Sequence, residues 1–399
     1  MIGRRFSHKT KLIILSILIG VTIIGIAILA VAAMQKPDTA KQSTPVQPKA
    51  QAESEAPPLV PPTLKTEAII AGLQNPWDVA FLPDAAMLVT ERGGRIIYKA
   101  SGEKERTFTQ IADVRARGEG GLMGLEVDRE FSKNSYIYTC FASTSGDVRL
   151  VRWTFTKAGL VNRKDIVTNI PLYTTGRHSG CRIKMDVNGV LWVGTGDAAQ
   201  ALIPQDPKSL GGKILRVTRE GAAAPGNLGG QFDPRVYSYG HRNTQGIALY
   251  AAPKKGVAGF SVEHGPNIDD EVNKLVPGNF GWNPTPPYIE NVPMTDKKSY
   301  PNAVDAVWSS GGSTIAPSGA AFLTGSKWKA WQGALAIAVL KGQQLRIQKY
   351  DANFKITQDD ALFQTQFGRL RSATTAPDGT LYLTTDNSVN DQIIRVIPQ

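Results

Sequence analysis

The sequence predicts an all-β protein, a six-bladed β-propeller preceded by an N-terminal transmembrane helix and a disordered linker. Three observations carry this reading. A paired-strand pattern recurs six times from residue 75 onward. With 39 glycines and 25 prolines in 399 residues, the chain has the punctuation of a turn-rich β protein. Stretches with a sustained 3.6-residue period are few, so helices are minor elements.

Residues 1–11 carry Arg4, Arg5, Lys9 and Lys11 ahead of an uncharged run from Leu12 to Ala33. As a helix, residues 12–33 span roughly 33 Å, enough to cross a bilayer. The basic flank stays cytoplasmic, which places the rest of the chain outside the cytoplasm, in a periplasm or at a cell surface. A cleaved signal peptide is the rival reading, because Ala30-Val31-Ala32 resembles a cleavage site; cleavage would leave a secreted protein. The apolar run exceeds the usual ~7–15 residues of a signal-peptide core, which favours a retained membrane anchor. Residues 34–62, rich in Pro, Gln, Ala, Ser and Lys without hydrophobic periodicity, read as a flexible linker. The propeller domain then spans 63–399.

The six strand pairs are Asp78–Phe81 with Met87–Thr90, Gly124–Val127 with Tyr136–Thr139, and Arg182–Met185 with Val190–Val193. Gly246–Leu249 with Gly259–Val262, Gly319–Phe322 with Ala334–Ile337, and Ala373–Ala376 with Thr380–Leu383 complete the set. Turn signals such as Pro83-Asp84, Asn188-Gly189 and Asp378-Gly379 join several pairs. Third strands follow at Arg95–Tyr98, Lys213–Val217 and Gln392–Val396. Copies start 46 to 73 residues apart, room for four short strands each. Six spaced copies suit radial repetition better than the alternative, a pair of β-sandwiches.

Composition narrows the chemistry. The formal net charge is +11, but the tail before the apolar run contributes four of it and the remaining charges are scattered. Nucleic-acid binding therefore has no specific support. Two cysteines, Cys140 and Cys181, exclude a cysteine-built zinc or iron–sulfur centre. Of four histidines His8 lies in the tail, leaving His178, His241 and His264.

In a propeller, residues just before each innermost strand converge on one end of the axis. Glu119 precedes the second copy, Arg177 and His178 the third, Arg242 and Asn243 the fourth, and Arg369 and Arg371 the sixth. Any one alone would pass for a polar loop residue. Together they describe a pocket for a polyanionic ligand beside a proton acceptor.

Six motifs stand in order along the globular part: Gly118-Glu-Gly-Gly-Leu-Met-Gly, His178-Ser-Gly-Cys-Arg-Ile, Gly194-Thr-Gly-Asp197, Tyr239-Gly-His-Arg-Asn-Thr-Gln-Gly, Glu263-His-Gly-Pro-Asn-Ile-Asp-Asp-Glu-Val-Asn and Gly368-Arg-Leu-Arg-Ser. Each is modest alone. In this order and at these separations, the chain from about Thr66 to Gln399 resembles the soluble pyrroloquinoline-quinone (PQQ) dependent glucose and aldose sugar dehydrogenases. The family fold is a six-bladed propeller, in agreement with the repeats.

The resemblance implies oxidation of aldose sugars at C1 to lactones, with PQQ and Ca²⁺ as cofactors. PQQ is a flat quinone bearing carboxylates, so its site needs cations. Arg242, Lys341, Arg369 and Arg371 match the family's cofactor-binding positions, and Asn243 a polar one. Glu119 stands on the cofactor side where a neutral Gln is usual. His178 matches the general base and Asp197 the carboxylate that orients it. Main-chain carbonyls at Gly265 and Pro266 match the calcium site beside the quinone. Asp270 and Glu271 match a second, structural calcium site, and oxygen-rich turns suit that ion. His241 and His264 lack the first-strand register and read as structural neighbours. Arg177 replaces a residue that is often Asp or Asn. Cys181 could pair with Cys140 in an oxidising compartment, a geometry that cysteine identity alone does not establish. The competing reading is a non-catalytic propeller that binds a partner or a carbohydrate. A metal-dependent lactonase fits less well, because the rim is mostly cationic. The preferred sugar, the electron acceptor and the choice between monomer and homodimer stay open.

Overall fold

The computed structural model describes residues 59–399 apart from 101–102, 104–105 and 157. The basic segment, the membrane helix expected over 12–33 and most of the linker lie outside the described residues. Among those described, no helix is long and apolar enough to cross a membrane. The unit Pro58–Gln399 consists of six sheets, confirming the propeller and its blade count.

Blade 1 is built from Pro76–Phe81, Met87–Glu91, Arg95–Lys99 and Arg106–Gln110, and blade 2 from Leu122–Val127, Tyr136–Ala142, Asp147–Thr156 and Gly159–Pro171. Blade 3 comprises Gly180–Met185, Leu191–Thr195, Lys213–Val217 and Val236–Tyr239, with the short strand Gly278–Asn279 added in parallel. Blade 4 runs through Thr244–Lys254, Val257–Glu263, Glu271–Lys274 and Trp308–Ser309, and blade 5 through Pro317–Phe322, Leu335–Val339, Gln344–Tyr350 and Ile356–Leu362. Blade 6 takes Leu370–Thr375, Leu381–Thr385 and Asp391–Pro398 from the C-terminus, and its outermost strand, Leu64–Leu73, from the other end of the domain. That strand pairs Leu64 with Pro398 and Leu73 with Asp391, closing the ring with strands from both ends of the domain. The repeat pattern, which began at residue 75, did not anticipate this. Helical structure among the described residues is limited to the turn Phe131–Asn134 and a 3₁₀ segment, Ser326–Trp331.

Second strands such as Leu335–Val339 are buried throughout, because the sheets stack face to face around the ring. Their sequences are therefore continuous apolar runs rather than alternating ones. Outer strands such as Gly159–Pro171 carry exposed residues. Apolar seams between neighbouring blades, for example Tyr138, Cys140, Ile183 and Val193, hold the sheets together. Across one of these seams Cys140 and Cys181 form a disulfide, joining blades 2 and 3.

A local irregularity repeats in every blade. Each innermost strand carries one extra residue relative to its partner just inside its first residue, at Trp77, Cys181, Gln245 and Arg371 in four of them. The other two bulges lie at Met123-Gly124 and Ser318-Gly319. A β-bulge bends the strand and re-aims a side chain. Here bulged residues from different blades meet: Arg371 Nη1 donates to Gln245 Oε1 at 3.1 Å, and its guanidinium lies 5.9 Å from the Trp77 ring. Beside them Asp78 and Arg182, both fully buried, pair at 2.7 Å.

Candidate active site at one end of the axis

His178 ends the loop before the innermost strand of blade 3, and Asp197 follows the second strand of the same blade. The hairpin brings them back together: His178 Nδ1 lies 2.7 Å from Asp197 Oδ1. Both side chains are buried. The backbone here is costly. His178, Ala198 and Ala199 have φ of 52°, 52° and 47°, in the left-handed region that non-glycine residues seldom occupy. The two loops approach so closely that a Cβ on Gly196 would stand 1.9 Å from the His178 carbonyl oxygen. Asp197 N donates to the Arg242 carbonyl at 2.8 Å, which ties the pair to the entrance of blade 4.

Asp197 is saturated with donors. Oδ1 also accepts Ala199 N at 2.8 Å, and Oδ2 accepts Trp282 Nε1 at 2.8 Å and the Tyr288 hydroxyl at 2.6 Å. With Nδ1–H directed at the carboxylate, His178 Nε2 is left as the proton acceptor.

The expected cations surround this pair in different states. Arg242 donates through Nε at 3.0 Å and Nη2 at 2.5 Å to Glu290 Oε1, and through Nη1 to the His264 carbonyl at 3.0 Å. Arg371 is buried and donates to Asp386 Oδ2 at 3.1 and 2.6 Å. Arg369 and Lys341 are exposed, and among the described residues neither has a carboxylate partner. Lys341 follows Val339, which pairs with Pro317 at the start of blade 5, so it reaches the same end of the axis; its Nζ donates to Thr314 Oγ1 at 2.9 Å.

Glu119 Oε2 accepts Asn243 Nδ2 at 2.9 Å. Burial works to raise its carboxyl, but the imidazoles of His178 and His264 and the Asn243 hydrogen bond outweigh it and hold the group below the ordinary range. Arg177 does not pair with Glu119; it forms an ion pair with Glu290. His264, read from the sequence as a structural neighbour, belongs to this rim. Burial pushes it down to about 3, so its ring is neutral at neutral pH, and its Nε2 is buried without a hydrogen-bond partner among the described residues. His241 lies deeper, between Ser238 Oγ at 2.9 Å and Glu263 Oε1 at 3.0 Å, and stacks on Phe280.

The calcium positions separate. Asp270 Oδ1 accepts Gly265 N at 2.9 Å, while Oδ2 accepts Ile315 N and Ala316 N at 2.5 and 2.8 Å, so this carboxylate clasps two loops. Pro266, next to Gly265, is partly exposed. Glu271 faces elsewhere, taking Asn273 Nδ2 at 3.0 Å. Burial, followed by the facing Glu263, pushes Glu271 up to about 8. Asn273 Oδ1 is buried beside them without a partner. Among the described residues no three His, Cys, Asp or Glu side chains could together hold a metal ion.

Trp282, Tyr288 and Glu290 were missed by the sequence reading. They come from the segment between blade 4's third and fourth strands, where no repeat register guides the eye. The run Asn279-Phe-Gly-Trp was the available signal. A cavity of ≈ 580 Å³ opens at the other end of the axis, lined by the far ends of the innermost strands, including Glu126, Lys184 and Thr374. It is remote from His178.

Residues 73–395 match the family model described as Glucose / Sorbosone dehydrogenase. The chain belongs to that family. The aldose sugar dehydrogenase of Escherichia coli (strain K12) is 29% identical over 360 residues, covering 85% of this chain and 94% of that protein. The PQQ-bound form of the aldose sugar dehydrogenase from Streptomyces coelicolor is 28% identical with a TM-score of 0.70, covering 85% of this chain and all of the other. The apo form of the soluble E. coli enzyme is 27% identical with a TM-score of 0.75, covering 84% of this chain and all of the other. The protein is thus an oxidoreductase of the sugar dehydrogenase type, which sets aside the non-catalytic propeller.

Proposed function

We propose that this member of the glucose / sorbosone dehydrogenase family oxidises aldose sugars at C1 to lactones with PQQ and Ca²⁺ as cofactors. The observation that carries the reading is the His178–Asp197 pair at 2.7 Å inside a ring of cations. His178 Nε2 takes the proton of the C1 hydroxyl, and Asp197 balances the imidazolium that results. When bound, PQQ supplies the hydride acceptor and a neighbouring calcium ion a Lewis acid.

The residues present fit that group. Arg369 and Lys341 are cations without carboxylate partners among the described residues, ready for the cofactor's carboxylates. The orphaned Nε2 of His264 offers a hydrogen-bonding position at the same rim. Arg242, Arg371 and Asn243 complete the cradle. Main-chain carbonyls of Gly265 and Pro266 would hold the ion beside the quinone, and the oxygens of Glu263, Glu271 and Asn273 would hold a structural one. The disulfide between Cys140 and Cys181 supports an oxidising setting, and with it a domain outside the cytoplasm.

The test titrates the full-length protein with PQQ in the presence of Ca²⁺, following quinone absorbance, and then measures dye reduction with a panel of aldoses. Saturable binding is expected, with Arg369→Ala and Arg371→Ala each weakening it roughly ten- to a hundredfold. His178→Ala should bind PQQ yet lose ~10²–10⁴-fold in turnover. Wild-type protein that shows no saturable binding would refute the proposal.

A further inference from the structure

The segment from Trp282 to Glu290 does more than wall the pocket. Both of its ends grip the catalytic carboxylate: Trp282 Nε1 and the Tyr288 hydroxyl converge on Asp197 Oδ2 at 2.8 and 2.6 Å. Its tip is closed on itself, since Thr285 and Ile289 exchange backbone hydrogen bonds at 3.2 and 2.7 Å. Two residues beyond Tyr288, Glu290 is held by Arg242 on one oxygen and by Arg177 on the other. The Arg177 guanidinium lies 5.4 Å from the Tyr288 ring, and that ring meets His178 edge-on at 5.9 Å. Tyr288 is therefore fixed from three sides.

Its hydroxyl has one donor proton, and the shorter contact shows where it goes. At 2.6 Å from Asp197 Oδ2 the hydroxyl donates to the carboxylate. The phenol oxygen then faces His178 Nδ1 at 3.1 Å with its lone pairs. The Nδ1–H sits between two acceptors, the Tyr288 oxygen and Asp197 Oδ1, and the latter, a carboxylate oxygen, by itself requires this tautomer.

We propose that Tyr288 is a positioning residue of this site, bracing Asp197 Oδ2 with its hydroxyl proton and sharing the His178 Nδ1–H through its oxygen, so that the imidazole plane is fixed with Nε2 presented to substrate, and that Glu290 clamps it there through Arg177 and Arg242. The inference deepens the dehydrogenase reading and rests on it for the identity of the substrate. The orientation of the imidazole is a property of the unloaded protein. The charged and titratable groups facing the pair are Glu119, His264, Arg177, Arg242 and Glu290, besides Asp197 and Tyr288.

The experiment uses the full-length chain labelled with ¹⁵N-histidine, without cofactor or sugar, the His178 signals being identified by their loss in His178→Gln. Wild type should show a protonated Nδ1 and an unprotonated Nε2. Tyr288→Phe keeps the ring contacts with His178 and Arg177, so packing is retained. It should keep the Nδ1–H tautomer that Asp197 requires, yet shift the His178 Nδ1 resonance through loss of the second acceptor and, in the loaded enzyme, give a kcat lowered about tenfold with little change in KM. Glu290→Gln should move both readouts in the same direction by less. If Tyr288→Phe leaves the His178 Nδ1 resonance where wild type has it, the proposal is overturned. An enzyme with no sugar oxidation at all would refute the functional reading instead, and the Nδ1 resonance in the unloaded protein would still decide this one.

Discussion

Replacing Asp78 by alanine removes the charge at which four blades meet. Its Oδ2 pairs with Arg182 of blade 3 at 2.7 Å and accepts Leu125 N of blade 2 at 3.2 Å. Its Oδ1 accepts the Ser372 hydroxyl of blade 6 at 2.8 Å. Arg182 is only 1% exposed; besides this pair it donates Nε to the Gln245 carbonyl at 2.8 Å and lies 4.0 Å from the Trp77 ring centroid, with Nη2 unpartnered. Asp78→Ala thus strands a buried guanidinium, which costs about 3–5 kcal/mol. At ~2.1 cal/mol/K per residue, unfolding of Pro58–Gln399 carries an entropy of about 0.7 kcal/mol/K. The loss corresponds to a Tm lower by about 4–7 °C, measured by calorimetry at fixed pH and salt. Combining it with Arg182→Met removes both charges and leaves an apolar side chain against Trp77, so the double variant should be more stable than Asp78→Ala alone. A single variant that melts within about 1 °C of wild type would refute the account of a charge-held hub.

Three further outcomes are expected. Glu271 has a folded value of about 8, above its free value of 4.5, so its contribution to stability is complete below about pH 4.5 and lost as the pH rises through 8. Chelated protein should therefore melt progressively lower between about pH 4.5 and 8, Glu271→Gln should flatten that fall, and Ca²⁺ should restore the wild type alone; identical pH profiles would remove Glu271 from both roles. Reducing Cys140–Cys181, which closes a separation of 41 residues, should cost up to about 4 kcal/mol; an unchanged melting curve after verified thiol release would contradict it. Gly196→Ala places a methyl group 1.9 Å from the His178 carbonyl and should abolish turnover while the blades, by circular dichroism, persist; full activity would mean the two loops are not packed as described.

The meeting of His178 and Asp197 was legible in the sequence because a hairpin is a local device. Gly180–Met185 and Leu191–Thr195 have strand patterns joined by a turn at Asn188-Gly189, so the residues flanking them had to return to one end. The same logic placed Arg242, Asn243 and Arg369 at the entrances of their blades. Arg371 was read as preceding its strand, whereas it is the bulged second residue of it. Bulges leave no mark in alternation when the strand is buried on both faces. The loop carrying Tyr288 and Glu290 follows no repeat, and its aim is set by contacts with Arg177 and Arg242, distant in sequence.

By itself the sequence determined the number of blades, the identity of their inner and second strands and the end of the axis at which charged groups collect, because strand alternation and turn chemistry act over a few residues. Only the tertiary structure decided which charges remain available. Lys341 and Arg369 stay without carboxylate partners among the described residues, whereas Glu290 takes Arg242 and Asp386 takes Arg371. It also decided that Leu64–Leu73 closes the ring against Asp391–Pro398, and that Cys140 and Cys181 meet. These contacts join residues tens to hundreds of positions apart, and their partners are selected by desolvation: a charge buried at the axis must find whatever opposite charge the closed ring brings within reach.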